Sequence, residues 1–128
     1  MPVAPADWVD FAKSLLGRDE ISTRSAASRA YYGAFHACKK LADQLPDPPK
    51  SEGMHDKAIR GLQEYPVTTK NRDAAMAIHR VGIQLAQCRS IRTRADYKCG
   101  EEFAPSEAQE AIVFAEQIFA GLQTIKLP

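Results

Sequence analysis

Arg29 and His36 stand seven residues apart in the stretch SRAYYGAFHACKKL. That is about two helical turns, so on a helix the two side chains project roughly 20° apart. Cleavage of an RNA strand needs a base for the 2′-hydroxyl proton and a cation for the charge that builds on a pentacovalent phosphate. Imidazole suits the first task near neutral pH, and the arginine fork suits the second. Tyr32 and Ser25 lie beside the row, and Lys40, four residues past His36, extends it. Neither role calls for a metal, and the chain offers no plausible metal-ligand cluster. No metal or cofactor is therefore expected. The pair also has a plainer interpretation, in which His36 bonds to a neighbouring helix and Arg29 meets a carboxylate.

A second group of candidates closes a later helix. Ala74, Ile78, Val81, Leu85 and Cys88 recur at spacings of three and four, and the next positions on that face are Arg92 and Asp96. A charge on a core-facing side is costly unless it is paired or open to water. Arg92 and Asp96 are four residues apart and can pair with each other. This helix end therefore either holds a structural ion pair or lines a polar pocket. Arg89 falls at the edge of the same face, Tyr97 ends the segment, and Arg94 is expected to point away into solvent or toward a partner. His55 and His79 stand alone and are read as surface or structural residues.

The elements that must position these groups read as helices throughout. The segment Ser22–Leu45 carries a broad apolar arc of Ala26, Ala27, Ala30, Tyr31, Ala34, Phe35, Ala37, Cys38, Leu41 and Leu45. Ser28, Arg29, Tyr32, Gly33, His36, Lys39 and Lys40 fall on the opposite side. Before it, Asp7 can cap a helix with the stripe Trp8, Phe11, Leu15 and Leu16. After it, PDPPKSEGM is a loop, then HDKAIRGLQEY a short helix facing inward through Ile59 and Leu62. A long helix runs from about Lys70 to Tyr97. A last one opens on a capping box of Ser106 with Gln109 and buries Ala108, Ala111, Ile112, Ala115, Ile118, Phe119, Leu122 and Ile125. No segment alternates as a half-buried strand does. The expectation is one all-α domain over residues 1–128, an up-and-down bundle of about five helices.

Composition narrows the function. The 128 residues are 45% hydrophobic and 26% charged, and the net charge is +1. No apolar run approaches the ~18–20 residues that cross a bilayer, and the opening MPVAPADWVDF, with no basic region before an apolar stretch, leads to the expectation of no secretory signal. Cys38, Cys88 and Cys99 are odd in number and widely spaced, which reads as free thiols in the cytoplasm. The net charge hides a polarity: residues 70–98 hold seven cations against two carboxylates, and residues 99–128 hold five carboxylates against one lysine. The basic segment can meet phosphates, or it can pair with the acidic tail as an ordinary solvated helix.

SRAYYGAFHACKKL, a histidine after a loop (His55), and RSIRTRADY at the end of a long helix together resemble small bacterial and archaeal HEPN proteins. The similarity spans roughly residues 20–100. It implies a helical bundle that often dimerises, in a superfamily that includes metal-independent ribonuclease toxins. Other members are partners of small nucleotidyltransferases in toxin–antitoxin operons, or bind RNA or nucleotides without turnover. Ribonuclease members carry an arginine, four to six residues, then a histidine, a spacing that Arg29 and His36 meet. Many active toxins place an Arg-x-His element near the end of a later helix, where this chain reads Arg92-Thr93-Arg94-Ala95-Asp96-Tyr97 and has no histidine.

The resemblance thus leads to a HEPN-type protein of a toxin–antitoxin or defence module acting on RNA. Arg29 and His36 would be its catalytic residues, with Tyr32, Lys40, Arg89, Arg92, Asp96 and Tyr97 binding. The alternative is a non-catalytic HEPN module that pairs with a small nucleotidyltransferase or antitoxin, or holds nucleotide or RNA. A homodimer and no membrane association are expected in either case.

Overall fold

The computed structural model describes residues 2–127 and contains five α-helices: α1 (Pro5–Ser14), α2 (Glu20–Ala42), α3 (Gly53–Gln63), α4 (Arg72–Tyr97) and α5 (Pro105–Thr124). Among the described residues there is no strand, and no helix is long and apolar enough to cross a membrane. The all-helical bundle anticipated from periodicity is what forms.

Helix α2 is the axis of the bundle and packs against all four other helices. Its small residues permit this. Ala26, Ala27, Ala30 and Ala34 are fully buried, and Tyr31, Phe35 and Cys38 fill the space that their short neighbours leave. Helices α1, α2, α4 and α5 alternate in direction. Ser28 meets Asp96 while Arg24 reaches Lys98, which sets α2 antiparallel to α4. Arg94 meets Glu107 and Gln84 meets Gln117, which sets α4 antiparallel to α5. Helix α3 lies between α2 and α4, with His55 against Phe35 and Leu62 against Gly82. The proline-rich connection that leads into it is tied down by Arg60, which donates to the Lys50 carbonyl, and by the Lys57–Asp47 pair at 3.3 Å.

The helix ends differ from expectation in informative ways. Asp7 is not the first cap but the third residue of α1, and its carboxylate accepts the Ala4 N–H at 2.8 Å. Glu107 does the same for Ala104, so α5 opens at Pro105 and not on Ser106 with Gln109. In both helices proline occupies the first turn, where its missing N–H costs nothing. Asp19 caps α2 through the Ser22 N–H at 2.8 Å, which starts that helix two residues before Ser22. In α1 the buried residues are Val9 and Ala12, followed by Leu15 just past its end, whereas Phe11 is 52% exposed. The stripe is rotated because α1 approaches the polar side of α2, as described next.

Candidate functional site

Gly33 explains the layout of the site. A β-carbon there would lie 2.6 Å from the Pro5 carbonyl oxygen and 3.2 Å from Cβ of Trp8, so α1 crosses α2 directly over this glycine. The side of α2 that reads as polar is therefore partly roofed. Ser28 and Gly33 are buried, Arg29 and Tyr32 are half-buried, and His36 and Lys40 remain exposed. What α1 contributes is Trp8.

Tyr32 gathers the predicted residues. The Arg29 guanidinium lies 4.8 Å from the centre of its ring and 5.3 Å from that of Trp8, and so is flanked by two aromatic groups. The Arg92 guanidinium lies 5.9 Å from the Tyr32 ring and 5.3 Å from the ring of Tyr97. His36 stacks on Tyr32 with ring centres 6.1 Å apart and planes 17° apart. Arg29 and His36 are thus linked through Tyr32, the ring that lies one turn from each along α2. Facing cations toward aromatic rings is attractive, roughly 0.5–2 kcal/mol per contact. It also fixes the guanidinium groups without consuming their outward N–H donors.

Arg92 and Asp96 form the anticipated ion pair, with Nε 2.8 Å from Oδ2. The approach is out of line, so the buried Nε–H gains charge attraction without an aligned hydrogen bond. Burial works against the charge on Arg92, but the Asp96 carboxylate and the Tyr97 and Tyr32 side chains outweigh it and hold the group cationic. Asp96 also accepts the Ser28 hydroxyl at 3.2 Å, which anchors the end of α4 to α2. Of the two interpretations of this helix end the structure forms the ion pair, which holds a cation against the aromatic cluster.

Two residues depart from the expected grouping. Arg89 faces a separate groove of ≈ 530 Å³ between α3 and α4, lined also by Asp56, Ile59, Arg60 and Thr93. Arg94 is not free in solvent, because it pairs with Glu107 and lies over the Phe103 ring. Lys40 falls one turn beyond His36, in an open groove of ≈ 670 Å³ that His36, Trp8 and Lys39 also line.

Sequence reasoning missed two contributors. Arg24 is 9% exposed and donates to the carbonyls of Arg94, Ala95, Lys98 and Glu101, so it caps α4 from the side. Its placement on the buried face of a small-residue helix, beside Ala26 and Ala27, was the available signal. His55 is not isolated: its Nδ1 is 2.7 Å from the Tyr31 hydroxyl and its ring centre is 4.2 Å from that of Phe35. The signal for it was the Tyr31 hydroxyl, since a phenol on an apolar arc requires a partner. Burial lowers the pKa of His55, and the nearby Arg89, Arg92 and His36 lower it further. His79 is structural, 2.7 Å from the Tyr65 carbonyl.

Comparison of the chain with protein-family models, curated proteins and solved structures finds no match.

Proposed function

We propose that this chain is a HEPN-type domain that acts on RNA, with the row Arg29, Tyr32 and His36 as the place where a strand is held and cut. The observation that carries this reading is the Tyr32 ring, with two guanidinium groups and an exposed imidazole grouped around it. His36 takes the proton from a ribose 2′-hydroxyl as that oxygen bonds to phosphorus and returns it to the departing 5′-oxygen as the P–O5′ bond breaks, leaving a 2′,3′-cyclic phosphate; its exposure lets the strand reach it. Arg29 stabilises the charge on the phosphate as the phosphorus becomes five-coordinate. Arg92, held by Asp96, adds a second cation that favours the anionic backbone. The resemblance of SRAYYGAFHACKKL to HEPN helices supports placing the protein in a toxin–antitoxin or defence module, in the cytoplasm and as a homodimer.

The test is to express the wild type, His36→Ala and Arg29→Ala, and to measure cleavage of an RNA pool together with growth. A fall of at least about 100-fold in cleavage is expected for His36→Ala, the loss typical of removing an acid–base group. Equal cleavage by wild type and His36→Ala removes the catalytic role.

A second reading, binding without turnover, has its own support. Among the described residues no carboxylate or carbonyl holds the His36 ring, whereas His55 and His79 each have an oxygen partner. A catalytic imidazole usually has an orienting group. In this version the same cations hold RNA or nucleotide, or dock a small nucleotidyltransferase or antitoxin. Salt-sensitive RNA affinity without strand scission, or stable co-purification with such a partner, distinguishes it.

A further inference from the structure

The aromatic cluster opens onto the groove between the start of α1 and the second half of α2. Trp8 and His36 belong to both. Trp8 is the protein's one tryptophan. It meets Arg29 and Tyr32 within the cluster and also lines the groove. His36 stacks on Tyr32 and lines the same groove. The remaining walls are Pro2 to Pro5 on one side and Lys39, Lys40 and Asp43 on the other.

The charges in the groove are unevenly committed. Lys39 is bonded to Asp43 at 2.8 Å, so these two largely cancel. Lys40 is exposed and forms no ion pair among the described residues, which leaves it as the uncompensated cation beside His36. The other surfaces are apolar: proline rings, Val3 at 62% exposure, and the indole. An apolar wall with an indole, one free lysine and a volume of ≈ 670 Å³ suits a planar base joined to a phosphate. Pockets for small ligands are commonly ~300–1,000 Å³, so the space accommodates a nucleotide unit. Base stacking on an aromatic side chain and a lysine on the backbone are the usual means of holding a single strand.

We propose that this groove is a subsite for a nucleotide flanking the reacting phosphate of a single-stranded RNA, its base against Trp8 and its phosphate on Lys40. The inference rests on the RNA reading above and extends it. It assigns Trp8 and the Pro2–Pro5 segment a binding role, and it sets the direction in which the strand leaves the cluster. A duplex is excluded from such a subsite, because a paired base has its faces covered by its neighbours in the stack.

A 2′-O-methyl RNA decamer, which lacks the attacking hydroxyl, isolates binding from cleavage. Its affinity is read by anisotropy of a labelled strand, and its contact with the groove by the emission of Trp8. Bound strand is expected to quench Trp8. Lys40→Ala is expected to weaken binding about three- to ten-fold at low salt, and to reduce the salt slope by about 0.7 for the one lost phosphate contact. Lys57→Ala, at a lysine paired with Asp47 outside this groove, serves as the control and is expected to bind as wild type. If the strand binds, and Arg29→Ala weakens it while Lys40→Ala and Trp8 emission do not change, the subsite is overturned and the RNA reading stands. If no strand binds, both fail together.

Discussion

The Tyr31 hydroxyl and Nδ1 of His55 lie 2.7 Å apart, joining the centre of α2 to the first turn of α3. Burial pushes the Tyr31 phenol above its ordinary range, so it keeps its proton and the bond joins two neutral groups. Protonating His55 puts a charge in a partly buried place near Arg89 and Arg92, the features that lower its pKa.

The burial of His55 beside these cations makes stability depend on acid. The folded-state pKa of His55 lies below the ordinary 6.5, so between the two values the unfolded chain binds more protons. The contribution is full above about pH 6.5 and is lost as pH falls through the folded value. Thermal unfolding followed by circular dichroism should show a melting temperature that drops from pH 7 to pH 5. His55→Gln should lower the melting temperature at pH 7 and flatten that drop. An unchanged slope in His55→Gln would assign the acid sensitivity to other groups.

Arg24 should matter to stability more than any residue of the proposed site. Arg24→Met keeps the length of the side chain but leaves the carbonyls of Ala95 and Glu101 without their donor, while those of Arg94 and Lys98 keep the backbone N–H groups of Lys98 and Glu101. A buried group left unsatisfied costs ~1–3 kcal/mol, so the total loss is expected to be about 3 kcal/mol. Urea unfolding measures it directly. Because the end of α4 carries Arg92, Asp96 and Tyr97, RNA binding should weaken in the same variant.

Glycines in two helices should respond with opposite signs. Gly33→Ala forces a β-carbon within 2.6 Å of the Pro5 oxygen, so α1 must shift, at a cost of about 1–3 kcal/mol. At Gly61 the nearest atom is 3.9 Å away, an ordinary contact. Gly61→Ala should therefore gain part of the ~0.5–1 kcal/mol that alanine has over glycine within a helix. Denaturant midpoints of the two variants, moving in opposite directions, are the check.

The three cysteines should separate by reactivity. Burial pushes the thiol of Cys88 up to about 12 and that of Cys38 higher still, while Cys99 is exposed. The thiolate is the reactive form. A thiol reagent at pH 8 should modify Cys99 alone in the folded protein and all three in denaturant. Cys99→Ser should leave no rapidly reacting thiol.

Periodicity was enough to identify five helices, because each carries an apolar face at helical spacing and is bounded by proline, glycine or a capping carboxylate. It also gave the Arg92–Asp96 pair, since two charges four apart on a core-facing row have few affordable alternatives. The relation of Arg29 to His36 as neighbours on one row followed from the helix alone. Element ends were less legible. A cap depends on which of several nearby carboxylates closes back on the chain, as Asp7 and Glu107 do from the third helical position.

The surroundings of that row depended on packing between distant segments. Gly33 lets α1 cross α2, and the crossing sends Trp8 to Arg29, turns Phe11 outward, and creates the groove beside Lys40. None of this has a local signature, because a glycine on a polar face reads the same whether solvent or another helix lies above it. The carbonyls that Arg24 meets are likewise 70 or more residues away in the chain, and the tyrosine that His55 meets is 24 away. The sequence by itself determined the helices, their apolar faces and which side chains share a row. Only the tertiary structure decided which of those side chains meet, because burial of a polar group is settled by the partner that a remote segment brings to it.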